Sequence, residues 1–224
     1  MLIFYGIIML KFFRKRFYVN LKEDFIREVR FLDVITKNTV LFFDMDGTLV
    51  DTDYANFLAY QQAISEIVEF DLNVEYDPNL RLNRNSLKIV APFLSETEYR
   101  GIIEKKEEIY HNYLHEIQVC KEQVSVVFEY AKSNKIILVT NSYSNRAMII
   151  LNYLGLTEYF DEIFCQESMN ANNQVNKFQN AIEKLGISPD RITAFENEES
   201  EILLAIKAGI EIINPNMDGY NAKV

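Results

Sequence analysis

The chain has 224 residues, 49% of them apolar, a formal net charge of −10 and two cysteines. That length suits one core domain plus a smaller insertion, and the apolar content excludes a disordered chain. The acidic balance excludes a broad nucleic-acid-binding surface, and Cys120 and Cys165 are too few and too far apart for a disulfide scaffold or zinc pattern, which fits a reducing cytoplasm.

Residues 1–38 read as an N-terminal extension. Met1 to Leu10 is almost wholly apolar, and Lys11, Arg14, Lys15 and Arg16 come after it. A signal peptide carries its charge before the apolar run, and about ten residues are too few to cross a bilayer. The expectation is a segment that packs on the core, or an alternative start at Met9, with membrane contact disfavoured.

Residues 39–43 predict a buried strand of a parallel sheet, because the run is β-branched and aromatic with no polar alternation. It stops at Asp44-Met45-Asp46-Gly47-Thr48. In open α/β sheets reactive groups lie just beyond the carboxyl ends of strands, so both aspartates fall where an active site is expected. Two carboxylates this close need a cation or a shared proton. That predicts one ionised, metal-binding Asp and one that works as general acid and then base; an Asp can also be a nucleophile toward phosphorus. Gly47 permits a tight turn, and Thr48 offers a hydroxyl and an N–H for substrate.

From residue 53 to about 124 no strand is predicted. Helices are expected at 55–70, 87–93, 96–116 and 121–132, with Ser95 and Glu98 forming a capping box. Just before the second of these, Arg81-Leu82-Asn83-Arg84-Asn85-Ser86-Leu87-Lys88 gathers cations and amides in an otherwise acidic chain, which nominates Arg84 and Asn85 as substrate-selecting residues with Lys88 behind them. His111 and His115 share a helix face, but two ligands do not make a zinc site, and they are assigned to the surface.

Beyond 124 the pattern is β-α repeats. Strands are predicted at 135–140, 162–165, 191–195 and 211–214, with Gly155, Gly186 and Gly209 closing helices between them. This predicts an α/β fold with a Rossmann-like, doubly wound parallel sheet. Thr140-Asn141-Ser142 at one strand end offers a hydroxyl, an amide and a following helix N-terminus to phosphate oxygens, with Arg146 nearby on that helix.

Asp44-Met45-Asp46-Gly47-Thr48-Leu49-Val50-Asp51-Thr52 resembles the first motif of the haloacid dehalogenase superfamily in its phosphatase form, with phosphoglycolate phosphatases and β-phosphoglucomutases among its members. The resemblance covers the chain from about Thr39 to Pro215. It implies a core of residues 39–54 and 124–224 and an inserted all-helical cap of 55–123. It implies Asp44 as nucleophile, Asp46 as acid/base, Thr140 and Asn141 on the phosphoryl group, and Lys177 paired with nucleophile and phosphate. It implies Mg2+ held by Asp44, Asp46 and the Glu196–Asn197 region. Two departures stand out. Asn197 occupies a place where an Asp is usual, with Glu198 as a candidate substitute, and the family's Lys-Pro position falls near Asn172 rather than on Lys177.

The expected function is therefore a cytoplasmic, Mg2+-dependent phosphatase of a small phosphorylated metabolite, working through an aspartyl phosphate. A sugar phosphomutase on the same scaffold and a non-catalytic phosphate-ligand-binding protein are the rivals. The substrate and the oligomeric state are not legible.

Overall fold

The structure, a computed structural model, describes residues 35–70, 72, 74–78, 80–166 and 176–214. The predicted N-terminal extension up to residue 34, the region of Asn172 and residues 215–224 lie outside the described residues.

Among the described residues five parallel strands form one sheet in the order β5-β4-β1-β6-β7, where β1 is Val40–Phe43, β4 Ile136–Val139, β5 Glu162–Phe164, β6 Ile192–Phe195 and β7 Ile212–Asn214. All five match the predicted runs to within two residues. The chain winds outward from β1 through β4 to β5, then returns past β1 to β6 and β7. With right-handed crossovers, that reversal places helices on opposite faces of the sheet. It also makes β1 the switch point, so the crevice beyond its carboxyl end is where a site belongs.

The three central strands β1, β4 and β6 are buried along their whole length, as their apolar character requires. On one face Val40, Phe42, Ile137 and Val139 pack against Phe178 and Ala181 of α6 (Lys177–Leu185) and Ala205 of α7 (Glu199–Lys207). On β1 and β6, Phe43 and Phe195 stack with ring centroids 4.2 Å apart. Helix α4 (Lys121–Tyr130) leads into β4, and α5 (Ser144–Leu154) follows it.

Between the short strands β2 (Val50–Asp51) and β3 (Gln118–Val119) lies a helical insertion: α1 (Asp53–Ile67), α2 (Arg84–Val90), α3 (Glu96–Ile109) and a 3-10 stretch, Tyr110–Glu116. It has an apolar core of its own, including Tyr60, Ile64, Leu87, Tyr99 and Ile102. Ser95 and Glu98 form the predicted capping box, and Asn83 with Ser86 forms a second at α2. Two details correct the sequence reading. β2 and β3 pair antiparallel where no strand was expected. The run predicted as helix over 96–116 changes to 3-10 geometry at Tyr110, which places the exposed His111 and His115 off an α-helical face.

Candidate active site

The loop after β1 is wound tightly around one carbonyl. Met45 O accepts from the N–H groups of Thr48, Leu49 and Val50 at 3.0–3.3 Å, and Gly47 takes φ +88°. A Cβ on Gly47 would lie 2.3 Å from Asn197 Nδ2. Only glycine lets the Asn197 amide rest on this turn, where its Oδ1 accepts from the Thr48 hydroxyl at 3.1 Å.

Asp44 and Glu196 end adjacent strands and are both buried. Lys177, the first residue of α6 and 3% exposed, joins them. Its Nζ donates at 2.7 Å to Asp44 Oδ1 and at 2.7 Å to Glu196 Oε2, with Glu201 Oε2 at 3.5 Å. The other oxygen of Glu196 accepts from the backbone N–H groups of Asn197 and Glu198, each at 3.0 Å. Glu196 thus holds Lys177 and the following turn in place.

One ammonium serves three carboxylates. Burial and the Glu196 charge push the Asp44 carboxyl up, against the pull of Lys177. Burial opposes the charge on Lys177, but Asp44, Glu196 and Glu201 outweigh it and hold the ammonium on.

Asp46 meets a different environment. Its Oδ1 accepts from the Thr52 hydroxyl at 2.5 Å and lies 3.4 Å from Arg81 Nη2. Its Oδ2 accepts from the Ser142 hydroxyl and lies 3.6 Å from Arg146 Nη2. Burial disfavours its ionisation, yet Arg146, Arg81 and the two hydroxyls hold the carboxyl well below the usual carboxylate range. These contacts favour the carboxylate form of Asp46.

Asp44, Asp46, Gly47, Thr48, Thr140, Lys177, Glu196 and Asn197 gather at the carboxyl ends of β1, β4 and β6. Thr140 is fully buried, and its Oγ1 accepts from the Ser142 N–H at 3.2 Å. Arg84 reaches across from α2 to donate to Asn141 O at 3.4 Å and lies 4.5 Å over the Tyr143 ring. Asn85 stays exposed in the first turn of α2. Lys88 is not behind them: it pairs with Glu96 at 3.1 Å and faces the Tyr99 ring. Glu198 stands at the N-cap position of α7 without a side-chain capping bond and accepts from the Ser200 hydroxyl at 2.8 Å.

Sequence reasoning missed Arg81 and undervalued Arg146, Ser142 and Thr52. Thr52 and Ser142 stand inside the motif segments and carry hydroxyls, which was a usable signal. Nothing in the sequence points Arg81 at Asp46.

The donor set of this crevice fits a divalent metal. Oxygen donors are on hand from the Asp44 and Glu196 carboxylates and the Asn197 amide, and three carboxylates around one ammonium leave charge for a further cation. Acids alone do not make the site: among the described residues no cluster of three or more His, Cys, Asp or Glu side chains is arranged to hold a metal.

A five-stranded parallel sheet with buried acids just beyond its switch-point strand defines a doubly wound α/β domain with its site in that crevice. The chain belongs to the haloacid dehalogenase-like hydrolases, whose family model matches residues 41–214. It stands with the phosphatase-type members. It is 27% identical over 183 residues to a phosphorylated carbohydrates phosphatase of Thermotoga maritima, covering 77% of this chain and 82% of that one. It is 23% identical over 180 residues to a fructose-1-phosphate phosphatase of Escherichia coli, covering 78% and 94%. CbbY from Rhodobacter sphaeroides, solved in complex with phosphate, shares the fold with a TM-score of 0.64 at 19% identity, covering 79% of this chain and 85% of that one.

Proposed function

We propose that the protein is a phosphatase that hydrolyses a small phosphorylated metabolite through an aspartyl phosphate on Asp44, with Mg2+ as its metal. The observation that carries this is the Lys177 ammonium bonded to both Asp44 and Glu196 at 2.7 Å, two residues from a second Asp held by hydroxyls and guanidiniums. This arrangement keeps a carboxylate oxygen of Asp44 at a fixed place beside cations that attract a phosphoester.

Asp44, the Asp46 carbonyl and Asn197 would hold Mg2+, which supplies charge neutralisation between the attacking carboxylate and the phosphoryl group. Asp44 attacks phosphorus in line, the P–O bond to the leaving group breaks, and Asp46 gives its proton to the leaving oxygen. Lys177 takes up charge on the phosphoryl oxygens, and Thr140 and Asn141 line its approach. Asp46 takes that proton up from solvent once a guanidinium is drawn off it. Arg81, at 30% side-chain exposure the more accessible of the two, is the one a bound phosphoester would attract. The ionised Asp46 then takes a proton from water, which attacks the aspartyl phosphate and releases inorganic phosphate.

We assign residues 55–123 as a cap that selects the leaving group, with Arg84 and Asn85 at its edge. Residues 39–54 and 124–224 are the catalytic core. The named substrates of the Thermotoga maritima and Escherichia coli relatives put sugar phosphates first in a substrate panel. A cysteine count of two, far apart in sequence, fits the cytoplasm as its location.

The test is phosphate release from an aryl phosphate and from a metabolite panel, with and without chelator. Wild type should release phosphate with Mg2+, and Asp44→Asn should lose at least about a thousandfold. Isomerised sugar phosphate in place of free phosphate would identify a mutase. Wild type and variant equally inert with Mg2+ present would leave a binding protein, the reading favoured by the neutral Asn197.

A further inference from the structure

Arg146 joins Asp46 to its own helix and to three parts of the helical insertion. Its Nη2 donates to Ser142 Oγ at 2.5 Å, and the same nitrogen lies 3.6 Å from Asp46 Oδ2. Its Nη1 donates to Asn56 Oδ1 on α1 at 3.2 Å and lies 3.6 Å from Glu107 Oε1 on α3. The guanidinium packs over the Tyr110 ring at 5.7 Å. The side chain is 12% exposed, and its Nε is buried with no hydrogen-bond partner among the described residues.

The hydrogen-bond directions matter. The Ser142 oxygen accepts from Arg146, so its own hydrogen is left to point at Asp46 Oδ2. Thr52 fixes the other carboxylate oxygen, and Asn56 donates to Thr52 at 3.1 Å while accepting from Arg146. Both hydroxyls that orient Asp46 are therefore set by contacts that run back to Arg146. Its planar fork spans Ser142 and Asn56, a geometry that an ammonium on a single point cannot reproduce.

We propose that Arg146 is the positioning residue of Asp46. Through Ser142 and Asn56 it fixes the carboxyl plane that serves the leaving oxygen, and through Glu107 it ties that plane to the helical insertion. This rests on the reading of Asp46 as the acid/base.

A misplaced general acid matters most for a leaving group that needs its proton. A nitrophenolate departs without one, whereas a sugar or alkyl alkoxide does not. The experiment compares kcat/KM, which reports phosphoryl transfer to Asp44, for p-nitrophenyl phosphate and for an alkyl or sugar phosphate. Arg146→Gln should lower kcat/KM about 100-fold on the alkyl ester and less than about 5-fold on the aryl ester, with Arg146→Lys between Gln and wild type. Glu107→Gln should show the same selectivity, more weakly. Equal losses on both esters overturn the proposal, since a merely structural arginine would affect them alike. If Arg146→Gln does not fold, Ser142→Ala is read by the same ratio, and an unchanged ratio overturns it. A wild type that releases phosphate from neither ester removes the phosphatase reading itself, an outcome distinct from an active wild type with an indifferent Arg146.

Discussion

At the scale of single residues, the acidic loop was legible because its chemistry is contiguous. Asp44, Asp46, Gly47 and Thr48 lie within five positions, behind an apolar run that could only be a buried strand. Arg81 and Arg146 were not legible in the same way. Their partner Asp46 is 35 and 100 residues distant in sequence, and only the packing of the insertion on the sheet brings them together. Asn197 is the residue where the chain departs from the family pattern, and its environment explains how the departure is accommodated. A neutral amide accepts the Thr48 hydroxyl and rests on Gly47, where a carboxylate would add charge beside Asp44, Glu196 and Glu201. Asn197→Asp should therefore bind the metal more tightly. The Mg2+ concentration for half-maximal phosphate release is expected to fall about tenfold, because a charged oxygen donor replaces a neutral one. An unchanged half-activation concentration would remove Asn197 from the metal's surroundings. Gly47→Ala tests the same contact from below. At φ +88° with Asn197 Nδ2 2.3 Å from the new Cβ, it should cost about 1–3 kcal/mol in chemical denaturation and displace the amide. Activity should then need more Mg2+, not less.

At the scale of elements, the strands were read correctly because each is a short apolar run closed by turn residues, which leaves little choice of period. Boundaries within the insertion were harder. The seven residues from Tyr110 to Glu116 keep a helix-like spacing of apolar side chains, and over so few residues that spacing does not separate 3-10 from α geometry. The pairing of Val50–Asp51 with Gln118–Val119 was invisible because two residues carry no alternation. It closes the insertion at its base, with Cys120 N–H donating to Leu49 O at 2.9 Å as a further tie. The capping box of α3 was legible and makes a clean prediction. Ser95 Oγ accepts the Glu98 N–H at 3.3 Å, and Glu98 returns a bond to the Ser95 N–H at 2.7 Å. Ser95→Ala should lower stability by about 1 kcal/mol in a denaturant titration. It lies at the end of α3 remote from Lys106 and Glu107, so kcat/KM should stay within about twofold of wild type. A larger loss of activity would mean that the register of α3 itself sets the site.

At the scale of the whole molecule, the insertion carries a buried cation that no sequence pattern betrayed. Lys106 on α3 is fully buried, 3.2 Å from Glu107 Oε1 and over the faces of Tyr60 and Tyr110. Burial first, and the nearby Arg146 second, push its ammonium down to about 7, against the pull of Glu107. The consequence for folding has a definite sign. Above about 7 the folded chain has released this proton while the unfolded chain keeps it up to its ordinary value of 10.5. The unfolded state then binds more protons, so stability rises with pH, by at most about 1.4 kcal/mol per unit from this one group. Asp44, raised to about 7, works in the opposite direction only below that pH, and Tyr60, pushed up to about 12, begins to oppose the rise only above 10. The window is therefore pH 7 to 10. Denaturant midpoints of wild type should climb across it, and those of Lys106→Met should stay flat and start higher at pH 7, since methionine fills the same space without a charge to desolvate. Parallel slopes for the two proteins would show that Lys106 keeps its proton in the folded state, and that Glu107 and the two rings compensate the burial in full.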